Sequence, residues 1–429
     1  MHTTSEPREA SGNTSAWMAS ATLPAYPPLI ADTRADVCVI GAGIAGLTTA
    51  YMLLREGKSV VVIDRAGIGA GASGHSAAHF FPPDERYSEI ERGFGTAQAT
   101  LVADSYRKAT ACVESIIRTE HIDCEFERLD GYLFNPHGAW DQVLEREYAV
   151  TSRLGLNVRR FERVPGLHFD TGPCLRFARQ AQFHPLRYLD GLARAITSLG
   201  GRIHDSTRAR GMEAAGAAQR VHTGDASVTA GAAVIATNAP FDTRIAMHTP
   251  QTPCRSYVIG LRVPKHAIPR ILLWDTGHPY YYVRLASAPG DAAHELLIVG
   301  GRDHPEGQDA HAAHRYEELE AWVRARFPTA GQVEYRWSGE VMEPADGAAY
   351  LGRAATGQPN VYVITGDSGN GMTHCTAGAI LITDLILRRP NIWSDLYAPT
   401  RQPFYGGARD RGGLGGLPGL GFLGGWGIA

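Results

Sequence analysis

The sequence predicts a mixed α/β (α+β) chain in which a parallel-sheet domain is interrupted by a largely antiparallel one. Residues 36–46 read DVCVIGAGIAG, an apolar strand followed by a glycine-rich turn. Residues 254–300 contain several strand-like runs, among them RSYVIGLRV and ELLIVGG. A strand and a glycine loop return near residue 360, as NVYVITGDSGNGMTH. The first domain is therefore expected to be discontinuous, with the antiparallel sheet inserted in it.

The first element is a Rossmann-like βαβ unit. Apolar residues at helical spacing over 44–55 predict a helix, which Gly57 is expected to end. The glycine spacing G-x-G-x-x-G allows a tight turn and a close approach of the backbone to a pyrophosphate at the helix N-terminus. The residues of this turn that we predict to bind a dinucleotide are Gly41, Gly43, Ile44, Ala45 and Gly46.

The second part of the dinucleotide signature is the acid Asp64, which ends the next apolar run, VVVID. It is expected to accept a hydrogen bond from a ribose hydroxyl. Arg65 beside it is a further cofactor-binding candidate; an arginine here could accommodate a 2′-phosphate, so NADP is the alternative to FAD. Two small-residue loops, at 67–80 and 366–371, favour FAD instead, because they allow close contact along an extended ligand. The further cofactor-binding candidates are Ser73, Gly74, His75, Ser76, Ala77, Ala209, Ala236, Thr237, Gly366, Asp367, Gly369, Asn370, Gly371 and Met372.

Composition narrows the class of protein. The 429 residues carry a formal net charge of −3, which gives no reason to expect nucleic acid or an anionic membrane as a partner. The six cysteines form no C-x-x-C pair and no zinc or iron–sulfur spacing, so free thiols in a reducing cytoplasm are expected, without a metal. No spanning helix and no signal peptide are expected, because neither kind of apolar run is present.

The order of motifs predicts the domain organisation. A flexible N-terminal arm (1–34) is followed by a cofactor domain made of 35–85, 184–245 and 340–400, and by a substrate domain made of 86–183 and 246–339. Residues 124–134 read as strand, turn and strand around Asp130-Gly131. Residues 184–204 read as a helix that enters a strand, and 314–327 as an amphipathic helix. The Gly-rich segment 405–429 is expected to be a flexible tail.

These residues resemble the FAD-dependent oxidoreductases of the D-amino-acid oxidase, glycine oxidase and sarcosine oxidase type. The resemblance covers about residues 30–405 and depends on VIGAGIAG with Asp64, GAGASGHSAAHF, VIATNAP and GDSGNGMTHCTAGAILITDLI. The strings DERYSEIERGFG and YRWSGEVMEPADG are similar to a bacterial subgroup that often carries a C-terminal Rieske domain. No C-x-H or C-x-x-H follows residue 375, which leaves the electron acceptor open.

The resemblance implies FAD as cofactor and hydride transfer to flavin N5 from a carbon next to nitrogen in a small amine or amino acid. It also implies that the helix near residue 371 directs the N–H groups of 369–372 at the pyrimidine edge of the flavin. In YYYVRL, strand alternation places Tyr280, Tyr282 and Arg284 on one face. Arg284 is the predicted carboxylate clamp and Tyr282 a pocket wall. The alternative is that these three residues form a solvent-facing stripe or an ion pair.

Three functions remain open on the sequence alone. The first is an amine or amino-acid oxidase that uses oxygen. The second is a flavin dehydrogenase that passes electrons to a separate iron–sulfur protein. The third is a flavin-binding protein without catalytic activity.

Overall fold

Two sheets organise the computed structural model, which describes residues 13–83, 86–241, 250–306, 312–355 and 357–402. The predicted tail and residues 1–12 of the predicted arm lie outside the described residues. The strands are β1 (Thr33–Ile40), β2 (Val60–Ile63), β3 (His79–Phe80), β4 (Glu127–Phe134), β5 (Val158–Phe161), β6 (Cys174–Gln182), β7 (Arg202–His204), β8 (Gly211–Ala215), β9 (Ala218–His222), β10 (Ser227–Ile235), β11 (Gln251–Pro264), β12 (Leu272–Asp275), β13 (Tyr281–Ser287), β14 (His294–Pro305), β15 (Val333–Pro344), β16 (Tyr350–Arg353) and β17 (Val361–Thr365). The described helices are α1 (Ala16–Ser20), α2 (Ile44–Arg55), α3 (Arg86–Phe94), α4 (Thr96–Thr119), α5 (Gln142–Arg153), α6 (Pro185–Ser198), α7 (Ala312–Arg326) and α8 (Gly371–Ile386).

The first sheet has the order β16-β17-β10-β1-β2-β7, with the hairpin β8–β9 beside β10. The pairs β17–β10, β10–β1, β1–β2 and β2–β7 are parallel. From β1 the chain continues to β2 on one side and later returns to β10 on the other, so the carboxyl ends of β1 and β10 flank a crevice where such sheets bind ligands. The predicted mixed fold and its discontinuous parallel sheet are confirmed.

The second sheet has the order β15-β11-β14-β13-β12-β4-β6-β3, with β5 beside β6. Its pairs are antiparallel except β12–β4. One face packs against α7, where the ring of Tyr281 stacks on Trp322 at 4.7 Å. Because strand residues alternate between faces, the neighbouring Tyr282 points to the opposite side, toward the first sheet.

The N-terminal segment differs from the expected flexible arm, because residues 13–34 pack on the protein. Ser15 caps α1 by accepting a hydrogen bond from the Met18 N–H, and Trp17 is 2% exposed. Leu29 is also buried. A buried tryptophan removes about 200 Å² of apolar surface from water, which is enough to hold a short helix in place. The polar composition of residues 1–34 did not indicate that residues within this segment would be buried.

Residues 124–134 also differ from the prediction, because β4 runs through Asp130-Gly131 as one strand with an irregularity against β6. A Cβ on Gly131 would lie 2.7 Å from Cζ3 of Trp274 on the neighbouring strand. The glycine therefore makes room for an indole ring and does not mark a turn.

The predicted domain boundaries shift at three places. β3, at the end of the segment 35–85, pairs with β6 of the second sheet. β15 continues past residue 340 to Pro344 and belongs to the second sheet. α4, expected in the substrate domain, packs against α8 beside the first sheet. No helix among the described residues is both long and apolar enough to cross a membrane.

Candidate active site

The turn between β1 and α2 has no space for side chains at two of its glycines. Gly41 has a φ of +113°, and a Cβ there would lie 2.4 Å from the Ala236 carbonyl oxygen. A Cβ on Gly46 would lie 1.8 Å from the Gly41 carbonyl oxygen. Gly43 is the N-cap of α2 and supplies no side-chain cap. The helix N-terminus therefore presents backbone to the crevice and can hold an anion there.

Asp64 follows β2 and accepts three backbone hydrogen bonds. Its Oδ2 accepts from the Ala42 N–H at 2.8 Å, and its Oδ1 from the Ala66 and Gly67 N–H groups at 2.8 and 2.9 Å. An ionised carboxylate has about four acceptor positions, so one remains at Oδ2 for a ligand. Asp64 thus ties the glycine turn to the end of β2, and its role toward a ribose stays a prediction.

The loop 67–80 contains a short 3-10 helix (Ala72–His75) and is held from its outer side. Side chains from α1, its cap and β15 donate to three carbonyl groups of this loop. The hydrogen bonds run from Ser15 Oγ to Gly74 O (2.5 Å), from Trp17 Nε1 to Ser76 O (2.8 Å) and from Trp337 Nε1 to His75 O (3.0 Å). On the other side, Ser73 Oγ accepts from the Ile44 N–H at 3.0 Å. The loop is therefore fixed between its anchors and the start of α2.

The loop before α8 has the same backbone character as the first turn. Gly366 and Gly369 have φ values of +73° and +75°. Asn370 is the N-cap of α8 but makes no side-chain cap, so the helix N-terminus is again presented as backbone. Asp367 Oδ1 accepts from the Met342 N–H at 3.0 Å, and burial raises the pKa of this carboxyl to about 6.

A cavity of about 820 Å³ connects these segments and lies between the two sheets. Most predicted cofactor residues line it. The lining includes Gly41, Gly43, Ile44, Ala45, Asp64, Arg65, Ser73, His75, Ser76, Ala77, Ala209, Ala236, Thr237, Asp367, Gly369, Gly371 and Met372, together with the predicted wall residue Tyr282. The structure places Gly46, Gly74, Gly366 and Asn370 behind this lining, where they shape the backbone.

The second sheet contributes an aromatic wall to the same cavity from around β3 and β13, defined here as His79, Phe81, Tyr280 and Tyr282. The ring of His79 lies 4.2 Å from that of Phe81 and 5.3 Å from that of Tyr282, and the two tyrosine rings are 6.1 Å apart. Burial lowers the pKa of His79 to about 3, so the ring is neutral at pH 7. Asp303 borders the wall, and Tyr280 Oη donates to its Oδ2 at 3.2 Å.

The model of the DAO family, described as FAD dependent oxidoreductase, matches residues 36–385. The chain belongs to this family. Its cofactor is FAD, as the two small-residue loops predicted, and not the alternative NADP.

Curated relatives of this flavoprotein cover most of its length. It is 28% identical over 387 residues to YhfW of Bacillus subtilis (strain 168), provisionally named a Rieske 2Fe-2S iron-sulfur protein, with 90% of this chain and 75% of that protein covered. It is 26% identical over 393 residues to gamma-glutamylputrescine oxidoreductase of Escherichia coli (strain K12), with 87% and 88% covered.

Solved structures share the fold. Glycine oxidase from Geobacillus kaustophilus superposes with a TM-score of 0.72 at 19% identity, over 86% of this chain and 99% of that one. L-proline dehydrogenase from P. horikoshii gives 0.70 at 17% identity, over 86% and 98%.

The residues present fit FAD. The glycine turn excludes any Cβ where a pyrophosphate would approach, and Asp64 keeps an acceptor position at the end of β2. The cavity volume lies toward the upper end of the range for ligand pockets, as a dinucleotide with an adjoining substrate requires.

Arg284 does not have the predicted role of a carboxylate clamp. It is 3% exposed and lies behind the cavity lining. Its Nη1 donates to the carbonyl oxygens of Ala77 (2.8 Å), Ala78 and Phe183 (3.2 Å), and its Cζ lies 5.1 Å from the centre of the Trp17 ring. The guanidinium therefore supports the loop that lines the cavity.

Asp303 is one of the cavity residues that sequence reasoning missed, together with His79, Phe81 and Glu340. Strand alternation could not place it, because Gly301 (φ +131°) and Arg302 (φ +63°) interrupt the regular backbone of β14 just before it. The pair Gly300-Gly301 was the available signal, since glycines within a strand often mark an irregularity or a close approach. Here Tyr282 occupies the space above Gly300, with its Oη 2.2 Å from where a Cβ would stand.

Proposed function

We propose that this flavoprotein oxidises a carbon–nitrogen bond of a small amine or amino acid. The observation that carries the proposal is that a single cavity joins the glycine cradle of the cofactor to the aromatic wall. A ligand against the wall would thus share one enclosed space with the cofactor. The names of the relatives support oxidation of the same kind of bond, since they include a gamma-glutamylputrescine oxidoreductase, a glycine oxidase and a proline dehydrogenase.

When bound, FAD supplies at its N5 the acceptor for the hydrogen and two electrons that leave the substrate carbon. The nitrogen lone pair forms the new bond to that carbon and a nitrogen-bound proton goes to water, so the product is an imine that water can hydrolyse. The reacting nitrogen must be neutral for this, because only then is its lone pair available. The neutral ring of His79 is compatible with that need, because it places no positive charge beside the substrate.

The chain's own groups would orient the two reactants. Tyr282 and the other rings of the aromatic wall exclude water and present flat apolar surface to the substrate. By the family resemblance, the N–H groups of residues 369–372 at the start of α8 would contact the flavin and stabilise negative charge on it. This contact would depend on the positive end of a helix dipole, as would that of the pyrophosphate at the start of α2.

Anaerobic mixing of the holoenzyme with a panel of amines and amino acids tests the proposal. Bleaching of the oxidised flavin absorbance by a member of the panel is expected. A protein that holds FAD and is bleached by none of them would contradict the proposal and favour a binding role without catalysis.

A second candidate concerns the electron acceptor. The likeness to YhfW, which carries a Rieske name, favours transfer to an iron–sulfur protein over direct reaction with oxygen. Air admitted to the bleached enzyme separates the two: rapid return of the flavin colour with peroxide indicates an oxidase, and slow return indicates a dehydrogenase.

A further inference from the structure

Asp303 has the properties of a ligand-binding acid. It lines the cavity, and it is surrounded by protein yet retains accessible surface, as expected of a group that faces an internal space. Its Oδ2 accepts from Tyr280 Oη, and hydrogen bonds from the Ser256 and Tyr280 hydroxyls lower the pKa of the carboxyl against the effect of burial, while no cation of the described residues acts on it. A buried carboxylate whose charge no cation balances is costly unless a ligand supplies one.

The charge of Asp303 is not balanced by neighbouring groups in the described part of the chain. His79 is neutral at pH 7, since burial lowers its pKa. The arginines that lie close in sequence to residues of the aromatic wall or to Asp303 already have hydrogen-bond or ion-pair partners. Arg255 pairs with Glu306, Arg302 with Glu318, and Arg284 with backbone carbonyls. Of the cavity arginines, Arg208 and Arg210 follow β7 in the chain, and Arg65 follows β2 and offsets part of the rise that burial causes in the pKa of Glu340 on β15; none of the three is among the groups that shift the pKa of Asp303.

The aromatic wall suits a cation as well. Tyr280 contacts the acid through its hydroxyl, its ring lies 6.1 Å from that of Tyr282, and Phe81 lines the same cavity. The negative face of an aromatic ring attracts an ammonium group within about 6 Å. A carboxylate together with several rings is the composition that proteins use to recognise alkylammonium ligands. A substrate carboxylate would instead meet Asp303 as a like charge.

The cation held there cannot be the nitrogen that reacts. A carboxylate beside an amine stabilises its protonated form, and that form has no lone pair to give to the carbon. We propose that Asp303 and the aromatic wall form a subsite for a second, charged nitrogen, so that the substrate is a diamine or a related amine with two separated nitrogen atoms. This inference rests on the proposed oxidation of a carbon–nitrogen bond and adds the class of substrate.

Three amines of equal chain length test the subsite: 1,4-diaminobutane, n-butylamine and 4-aminobutyrate, which differ in ending in an ammonium, a methyl or a carboxylate group. With the holoenzyme, kcat/KM for flavin reduction is expected to fall in that order. A higher value for 4-aminobutyrate than for the diamine would overturn the inference, while the oxidation itself would stand.

Asp303→Asn keeps the size of the side chain and removes its charge. The KM for the diamine should rise about 30-fold or more, the lower end of what loss of one partner of a buried charge pair costs, while n-butylamine is unaffected. Tyr280→Phe keeps the ring and should give a smaller increase. Asp275→Asn is the matched control. Asp275 is a buried acid of the same sheet, accepts a hydrogen bond from the Gly277 N–H and does not line the cavity. An unchanged preference for the diamine in Asp303→Asn would overturn the inference.

A binding measurement covers the case in which none of the three amines reduces the flavin, an outcome that would count against the proposed function. Tetramethylammonium chloride and sodium acetate are titrated into the holoenzyme, and perturbation of the flavin absorbance is followed. Tighter binding of tetramethylammonium, reduced about 30-fold or more in Asp303→Asn, supports the subsite. Tighter binding of acetate, or equal binding to both proteins, contradicts it.

Discussion

Replacement of Arg284 tests whether this residue anchors a loop of the protein or binds a substrate carboxylate. In Arg284→Met the side chain keeps most of its volume but loses its donors, so the carbonyl groups of Ala77 and Phe183 lose their partner, while that of Ala78 keeps the Phe183 N–H. Each buried carbonyl left unpaired costs about 1 kcal/mol at least, so the two together cost about 2 kcal/mol. At about 2.1 cal/mol/K per residue for some 400 residues, this corresponds to a fall in Tm of about 2 °C.

Ala77 and Ala78 line the cavity, so FAD affinity should fall together with Tm, while the KM for an amine substrate of FAD-saturated enzyme changes little. Thermal melting of apoenzyme and holoenzyme, FAD titration and steady-state kinetics measure the three quantities. Arg284→Lys is the control, because its ammonium carries three donors and should recover part of the loss. The reasoning would be refuted by a large rise in KM for carboxylate-bearing substrates with unchanged Tm and FAD affinity, since that is the signature of a clamp.

Three other changes are predicted. Gly46→Ala should prevent FAD binding and lower Tm, because its Cβ would lie 1.8 Å from a backbone oxygen; Gly93→Ala, with nothing within 4 Å, should leave both intact. Trp17→Phe removes the hydrogen bond to Ser76 O and should weaken FAD about fivefold, as measured by FAD release on dialysis. Burial raises the pKa of Asp303 to about 6, so ammonium affinity should fall as the pH drops through 6. The raised pKa also means that stability is lost as the pH rises through 6, so Asp303→Asn should gain more in Tm at pH 8 than at pH 5; an equal gain at both would contradict this.

The cofactor half of the site could be predicted because its determinants are local. The spacing of the glycines, the apolar runs before them and the acid at Asp64 all lie within about 30 residues, and each has a direct backbone reason. Gly41 and Gly46 show this, since the space that a Cβ would need is taken by backbone of the same motif or of the adjacent β10.

The substrate half could not be predicted to the same depth because its contacts are distant in sequence. Alternation correctly turned Tyr282 toward the cavity, yet Arg284 on the same face extends to carbonyl groups about 100 and 200 residues away. The position of Asp303 depends on two irregular residues before it, which a regular strand pattern does not represent. The sequence shows which side chains are present, but not which of them find partners elsewhere.

The loop 67–80 explains why the two halves of the site respond differently to substitution. Its outer carbonyl groups are bound by Trp17, Trp337 and Arg284, its inner face lines the cavity, and its end becomes β3 with His79 of the aromatic wall. A change in one of these anchors moves loop backbone that lines the cofactor region, so FAD affinity should fall while the KM for substrate of the FAD-saturated enzyme changes little. Asp303 reaches the cavity from β14 and is not connected to this loop by a hydrogen bond that the structure describes. Its substitution should therefore change substrate preference without changing FAD affinity, and a loss of FAD from Asp303→Asn would show that the two regions are coupled by contacts other than the loop.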